Sequence, residues 1–145
     1  MIDSGKYPEL AVLIGNQKPL EVLNKMGYHN NKFWKGVIIS KPPGSPRLYW
    51  HQDCMMWKDS SAYSEISPML FFMYYLEDTN RNNGCLRVIP GSHRQRHELH
   101  SMGAAHQKEI NRYENSDDTR FFDYPNEIDV PVKSGDLVVG DGRMF

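Results

Sequence analysis

The stretch YLEDTNRNNGCLRVIPGSHR, residues 75–94, decides the fold class because it sets a short β-rich run between two turn signals. The NNG tripeptide supplies residues that tolerate positive φ, as a tight hairpin requires, and PGS marks a second turn. Pro90 has no N–H with which to continue a ladder, so it should end the intervening strand. We therefore predict a hairpin turn at residues 80–84 followed by a strand at residues 85–90.

The same texture extends to both sides of this stretch. The tract MLFFMYYL, residues 69–76, is apolar at every position, as expected of an inner strand covered on both faces. Turn residues separate six β-rich runs, which are residues 36–41, 48–53, 69–77, 85–90, 128–132 and 136–139. Many short strands with Gly and Pro turns predict a sandwich, barrel or jelly roll.

The N-terminal part has a different pattern. Between Pro8 and Lys25 apolar residues recur at three- and four-residue steps, which predicts one amphipathic helix or two short ones broken near residues 16–19. Gly27 would then follow as a C-cap. The chain has 145 residues, enough for one domain, which we divide into a helical segment at residues 1–35 and a β core at residues 36–145. The polar loop at residues 93–124 exceeds an ordinary connection and is functional or partly disordered.

Composition excludes several classes of function. A formal net charge of -1 provides no strong field for nucleic acid or an anionic membrane, so a small-molecule partner is expected. Two cysteines without a CxxC pair indicate a reducing, intracellular and cytoplasmic setting. No apolar run is long enough to span a membrane, and the N-terminus does not resemble a secretory signal. Composition does not predict the oligomeric state.

The segment YWHQDC, residues 49–54, carries the first metal-binding signal. In an extended strand His51 and Asp53 project from the same face, while Gln52 points away. One imidazole nitrogen and one carboxylate oxygen on one face are two corners of a 2-His-1-carboxylate iron site. The spacing alone is weak support, because a surface histidine beside an unrelated aspartate is common.

Further motifs strengthen this interpretation. WHQD at residues 50–53 is followed by NGCL at residues 83–86, PGSH at residues 90–93 and a GD turn at residues 135–136. In this order, and with the upstream strand GVIISKPPG at residues 36–44, the sequence resembles the phytanoyl-CoA dioxygenase family of iron(II) and 2-oxoglutarate dependent oxygenases. The resemblance covers most of the chain from residue 36 onward.

The resemblance implies both a fold and an activity. It implies a mainly β protein with an N-terminal helix, whose core is a double-stranded β-helix (a cupin-like jelly roll) that is incomplete at its C-terminal end. His51 and Asp53 would bind iron(II) and be catalytic, with 2-oxoglutarate and dioxygen as cosubstrates. Val37 and Met73 correspond to strands lining the 2-oxoglutarate pocket, although a core role suits either. Because related halogenases replace the carboxylate with a small residue, Asp53 favours hydroxylation of a small organic or acyl substrate.

The resemblance also implies two residues that this sequence does not supply. The family's distal histidine would fall immediately after Phe145, and the arginine that binds 2-oxoglutarate would follow it. Arg143 precedes that place, so neither role is assigned to it. We therefore expect a fragment or truncated product, with two of three iron ligands and little or no turnover by these 145 residues alone.

Two alternatives remain open. His93, His97 and His100 stand at steps of four and three, and in a helix they would share a face that could bind zinc. PGS immediately before His93 argues against that helix. The second alternative is a non-catalytic jelly-roll domain that binds a small ligand or a protein.

Overall fold

A computed structural model describes residues 6–45, 47–54, 58–102 and 117–145. The chain divides into two compact units, Met1–Pro42 and Pro43–Phe145. Helices occupy the first unit and small antiparallel sheets the second, as predicted for a mainly β chain with an N-terminal helical segment. No helix within the described ranges is long and apolar enough to cross a membrane.

The first unit contains two helices, α1 at Glu9–Ile14 and α2 at Gln17–Lys25. They are separated at Gly15 and Asn16, and the Asn16 side chain caps α2 by accepting from the Lys18 N–H at 3.1 Å. Gly27 follows α2 with a φ of 88°, which a glycine adopts without strain. The N–H groups of residues 27 and 28 then bond back to the last turn of α2, so the predicted break and glycine cap are both found.

Among its described residues the second unit contains four strands, β1 at Leu70–Tyr74, β2 at Leu86–Val88, β3 at Ile128–Val130 and β4 at Leu137–Asp141. They form two antiparallel pairs, β1 with β4 and β2 with β3. In the outer pair Leu70 lies opposite Asp141, and in the inner pair Leu86 lies opposite Val130. A bridge between Thr79 and Val132 lies between the two pairs in sequence, so the pairing is nested.

Several strand predictions are wrong. Residues 36–41 and 48–53 form no strand, and β1 and β2 do not pair as the predicted hairpin. The NNG segment instead forms a short 3-10 turn, Arg81–Asn83, which Asn80 caps, and Gly84 takes the expected left-handed conformation. Each strand bonds a partner distant in sequence, so local turn chemistry does not decide the pairing.

The strand β1 also differs from the expected inner strand. Phe72 and Tyr74 are 37% and 38% exposed, and within the described ranges β1 pairs only with β4. The apolar composition of β1 therefore does not mean that both of its faces are buried.

The segment of residues 49–54 joins no sheet among the described residues, and it bends at Asp53. The Trp50 N–H donates to the Arg120 carbonyl at 2.8 Å, and the Cys54 N–H donates to the Gly142 carbonyl at 2.7 Å. The Trp50 side chain belongs to a buried cluster with Ile89, Leu99 and Phe145. Its indole N–H donates to the carbonyl of residue 122 at 3.0 Å, so the polar end of the buried ring has a partner.

The predicted loop at residues 93–124 is described only at its two ends. These ends contain 3-10 turns at Glu98–Met102 and Thr119–Phe121. Residues 103–116 lie outside the described part of the chain, so the prediction that they set function stays a prediction.

Candidate metal centre

The side chains of His51 and Asp53 approach each other, as predicted, although Asp53 lies at a bend rather than in a strand. The Nε2 atom of His51 is 4.0 Å from Oδ1 of Asp53. Their side chains are 23% and 39% exposed, so both remain accessible from solvent. One neutral imidazole nitrogen and one carboxylate oxygen in this arrangement are a suitable donor pair for a divalent metal.

A backbone contact fixes the orientation of the His51 ring. Nδ1 of His51 lies 2.9 Å from the carbonyl oxygen of Tyr49, which can only accept a hydrogen bond. Nδ1 is therefore the donor in this contact, and Nε2 is the ring nitrogen on the side of Asp53. Metal-binding histidines are commonly oriented in this way by a carbonyl or carboxylate on the other nitrogen.

The Tyr49 ring also packs against the His51 ring. It packs edge-on against His51 with ring centroids 5.5 Å apart, and edge-on against Phe121 at 5.9 Å. Tyr49 is itself buried, so its ring is held in place by the surrounding protein. Tyr49 thus contacts His51 through both its carbonyl and its ring.

Gln52 points to the other side of the segment, and its side chain is almost completely buried, with 5% exposure. Its amide nitrogen donates to the carbonyl of Arg143 and lies 3.0 Å from Nε2 of His100. The sequence placed Gln52 away from the metal ligands but did not indicate these partners. They lie about 50 and 90 residues further along the chain, beyond the range of a local pattern.

Arg143 is fully engaged in the structure, which gives it a role that sequence reasoning missed. Its guanidinium bonds the Asp141 carboxylate and also donates to the carbonyls of Ala62 and Ser64 at 2.9 and 2.8 Å. Although burial raises the pKa of Asp141, the hydrogen bonds from Arg143 and Ser67 lower it below its usual value. The DGR tripeptide, with opposite charges two residues apart, was the available signal.

The three histidines of the zinc alternative do not form a site. His100 lies in the 3-10 turn Glu98–Met102 and His97 immediately precedes it. Their ring centroids are 6.2 Å apart, and Nδ1 of His100 accepts from the His97 N–H at 2.6 Å. Burial lowers the pKa of His93 and of His97, and it lowers the pKa of His100 to about 4. Across the described ranges no three His, Cys, Asp or Glu side chains converge on a common point.

The two residues predicted for the 2-oxoglutarate pocket lie in different units. Val37 is 56% exposed and belongs to the unit Met1–Pro42. Met73 lies in β1 opposite Val138, is partly buried, and its sulfur is 3.9 Å from the Tyr75 hydroxyl. Their pocket role stays a prediction.

The donor atoms present fit part of an iron(II) site. Ligand atoms about 2.1 Å from one ion lie roughly 3 to 4 Å apart, depending on the angle between them, and the 4.0 Å separation here is at the upper end. A small rotation of the exposed Asp53 carboxylate would bring both atoms to one ion. His51 and Asp53 thus supply two ligands of the type that iron(II) oxygenase sites use.

Comparison with known proteins points to the same chemistry. The phytanoyl-CoA dioxygenase (PhyH) family matches residues 16–145. A protein of Stutzerimonas stutzeri described as a "Probable alpha-ketoglutarate-dependent hypophosphite dioxygenase" is 24% identical over 88 residues, which are 61% of this chain and 29% of that protein. The match thus spans less than a third of that relative's length. No solved structure matches. With the match extending over most of its length, the chain belongs to the phytanoyl-CoA dioxygenase family.

Proposed function

We propose that this protein is a non-haem iron(II) and 2-oxoglutarate dependent dioxygenase that hydroxylates a small organic or acyl substrate. The observation that carries the proposal is the pairing of His51 Nε2 with Asp53 Oδ1 at 4.0 Å, with the His51 proton held on Nδ1 by Tyr49. Membership of the family supports the same reaction class.

In this proposal His51 and Asp53 bind iron(II), which together with 2-oxoglutarate and dioxygen supplies the oxidising power for hydroxylating a C–H bond. His51 contributes a neutral nitrogen whose proton stays on the side of Tyr49. Asp53 contributes a negative charge that offsets part of the metal charge, and its presence fills the position that would otherwise be open to a halide.

The proposal also includes a jelly-roll fold and an intracellular setting. The nested antiparallel pairing, with β2 and β3 inside β1 and β4, supports a jelly roll because such folds pair their strands in nested order. Cys54 and Cys85 are both buried and form no disulfide with each other, which supports a reducing environment. The near-neutral charge favours a small-molecule substrate.

Titration with Co(II), followed by its visible absorption, tests the metal centre directly. We expect wild-type protein to bind one equivalent, and His51→Ala or Asp53→Ala to weaken binding at least about tenfold. Matched controls are His29→Ala and Asp117→Ala, which remove the same groups at exposed positions and should leave the affinity unchanged. Equal affinity in all five proteins would overturn the proposal and favour a non-catalytic binding domain.

A second measurement addresses the reaction. The gene product that carries these residues is supplied with iron(II), 2-oxoglutarate and a panel of small acids, acyl thioesters and hypophosphite, the last because it stands in the name of the relative. We expect succinate release that depends on His51 and on Asp53. Succinate release that survives both substitutions would refute the assignment of these ligands.

A further inference from the structure

The segment that carries His51 and Asp53 belongs to no sheet among the described residues, and Asp53 lies at a bend. Backbone hydrogen bonds attach this segment at Trp50 and at Cys54, one residue outside the ligand pair on either side. A side-chain contact between these two points would fix the direction of both ligands.

Gln52 is the residue between the two ligands, and its side chain provides that contact. Its amide donates to the carbonyl of Arg143, a residue with only 6% exposure. The Arg143 guanidinium is fixed in turn by Asp141 at the end of β4 and by the carbonyls of Ala62 and Ser64. Gln52 therefore links the centre of the ligand segment to an ordered part of the protein.

The Gln52 amide also lies beside His100. Its nitrogen is 3.0 Å from Nε2 of His100, but Nδ1 of His100 accepts from the His97 N–H, so Nε2 of the neutral ring carries a proton and the contact is packing rather than a hydrogen bond. The hydrogen bond that matters is the one to the Arg143 carbonyl, because Gln52 is buried and loss of its amide would leave that carbonyl without this partner. The backbone at Gln52 would then relax toward a new arrangement, and any turn of it would redirect His51 and Asp53 together.

We propose that Gln52 is a positioning residue of the metal centre, whose buried amide fixes the backbone between His51 and Asp53 so that both can reach one ion. This inference rests on the proposed function. Gln52 touches neither the metal nor a substrate in this scheme, and it acts only through the two ligands beside it. Partners of this kind typically change metal affinity by about 10- to 100-fold when they are removed.

The test compares Gln52→Met with wild type by Co(II) titration. Methionine keeps the length and most of the volume of glutamine but cannot donate to the Arg143 carbonyl. We expect at least about tenfold weaker binding and a changed visible absorption of bound Co(II), since that absorption reports ligand geometry. The control is Val88→Ala, a buried truncation in β2, which should lower the unfolding midpoint while leaving the affinity within about twofold.

The outcomes separate this inference from the proposed function. Absence of Co(II) binding at His51 and Asp53 in wild type would overturn both. Wild-type binding with an unchanged affinity and absorption in Gln52→Met would overturn only the positioning role. If Gln52→Met does not fold, Gln52→Asn carries the test, because it keeps a buried amide that is too short to reach the Arg143 carbonyl; affinity equal to wild type would again refute the role.

Discussion

The guanidinium of Arg143 holds the carboxylate of Asp141 at two points, with Nη2 to Oδ2 at 2.6 Å and Nε to Oδ1 at 3.0 Å. Both side chains are nearly buried, with 8% and 17% exposure. This pair joins the end of β4 to the carbonyls of Ala62 and Ser64, and through the Arg143 carbonyl to Gln52. It therefore supports the segment that carries His51 and Asp53.

We predict that Arg143→Met lowers the free energy of unfolding by about 3 to 5 kcal/mol, because it leaves the Asp141 carboxylate buried without its cation. Urea denaturation followed by circular dichroism measures this change. The matched control is Lys133→Met, which breaks the exposed pair with Asp78 and should change stability little. A similar loss in both variants would show that the buried position of the Arg143 pair is unimportant.

Stability should fall as the solution is acidified below neutral pH because of His100. Burial, with smaller effects from His97 and Arg96, lowers its pKa from 6.5 to about 4. At pH above 6.5 the residue is neutral in both states and has no effect. As the pH falls from 6.5 through 4 the unfolded state binds a proton first, so unfolding becomes easier, by on the order of 2 kcal/mol after allowance for partial solvent screening. Below pH 4 the loss stops growing.

Denaturation at a series of pH values between 7 and 4 checks this expectation. The variant His100→Gln, which cannot take up a proton, should show a flatter profile across that range. His29→Gln, at an exposed histidine, should retain the wild-type slope. A wild-type slope in His100→Gln would contradict the assignment.

Gly140 in β4 should not tolerate a larger residue. It lies opposite Phe71 of β1, and a Cβ atom at this position would fall inside the van der Waals distance of the Phe71 ring. We predict that Gly140→Ala lowers the free energy of unfolding by about 1 to 3 kcal/mol. Gly140→Ala should lower the free energy of unfolding by less in a Phe71→Leu background than in wild type, because the clashing ring is gone. A double-mutant cycle measures this difference.

Gly36→Ala is the control for this substitution, because a Cβ there meets the Phe33 ring only at an ordinary contact distance of 3.6 Å. Its stability should match that of wild type. Additive effects of Gly140→Ala and Phe71→Leu would show that the close approach of ring and backbone is not the cause of the loss.

Glu127 should stabilise the end of the inner strand pair. Its side chain is 7% exposed and accepts from Arg87 at 2.6 Å, from Arg81 at 3.0 Å and from the Tyr124 N–H at 2.8 Å. We predict that Glu127→Gln lowers the free energy of unfolding by about 1 to 3 kcal/mol. The reason is that a neutral amide oxygen accepts weaker hydrogen bonds from arginine than a carboxylate does. Asp129→Asn, at a more exposed partner of Arg81, should lower the free energy of unfolding by less. Urea denaturation measures both changes, and a larger loss in Asp129→Asn would contradict the prediction.

The sequence predicted the positions of strands better than their partners. Residues 69–77, 85–90, 128–132 and 136–139 each contain or overlap an observed strand, since β-branched and aromatic residues between turns are a local signal. Pairing depends on which distant strand supplies hydrogen bonds, and local composition carries no such information. For the same reason residues 48–53 were predicted as a strand, although among the described residues they join no sheet.

Only part of the candidate site, the pair His51 and Asp53, could be predicted from the sequence. The spacing of two residues placed His51 and Asp53 together, which the structure shows as a 4.0 Å approach. The other side of the segment, where Gln52 contacts Arg143 and His100, depends on parts of the chain far away in sequence. The zinc interpretation of His93, His97 and His100 assumed helical spacing, and the 3-10 geometry removed it.

The nested order of the strand pairs has a consequence for how this chain folds. Pairing of β2 with β3 shortens the free loop between β1 and β4, so the outer pair closes at a smaller entropic cost once the inner pair exists. In such a route strand pairing starts at Val88 and Ile128 and proceeds outward to Leu70 and Asp141. Because both pairs join distant residues, folding should be slow compared with that of a helical chain of equal length. The segment carrying His51 and Asp53 is bonded to Gly142, just past β4, and so reaches its final position only when the last pair has closed.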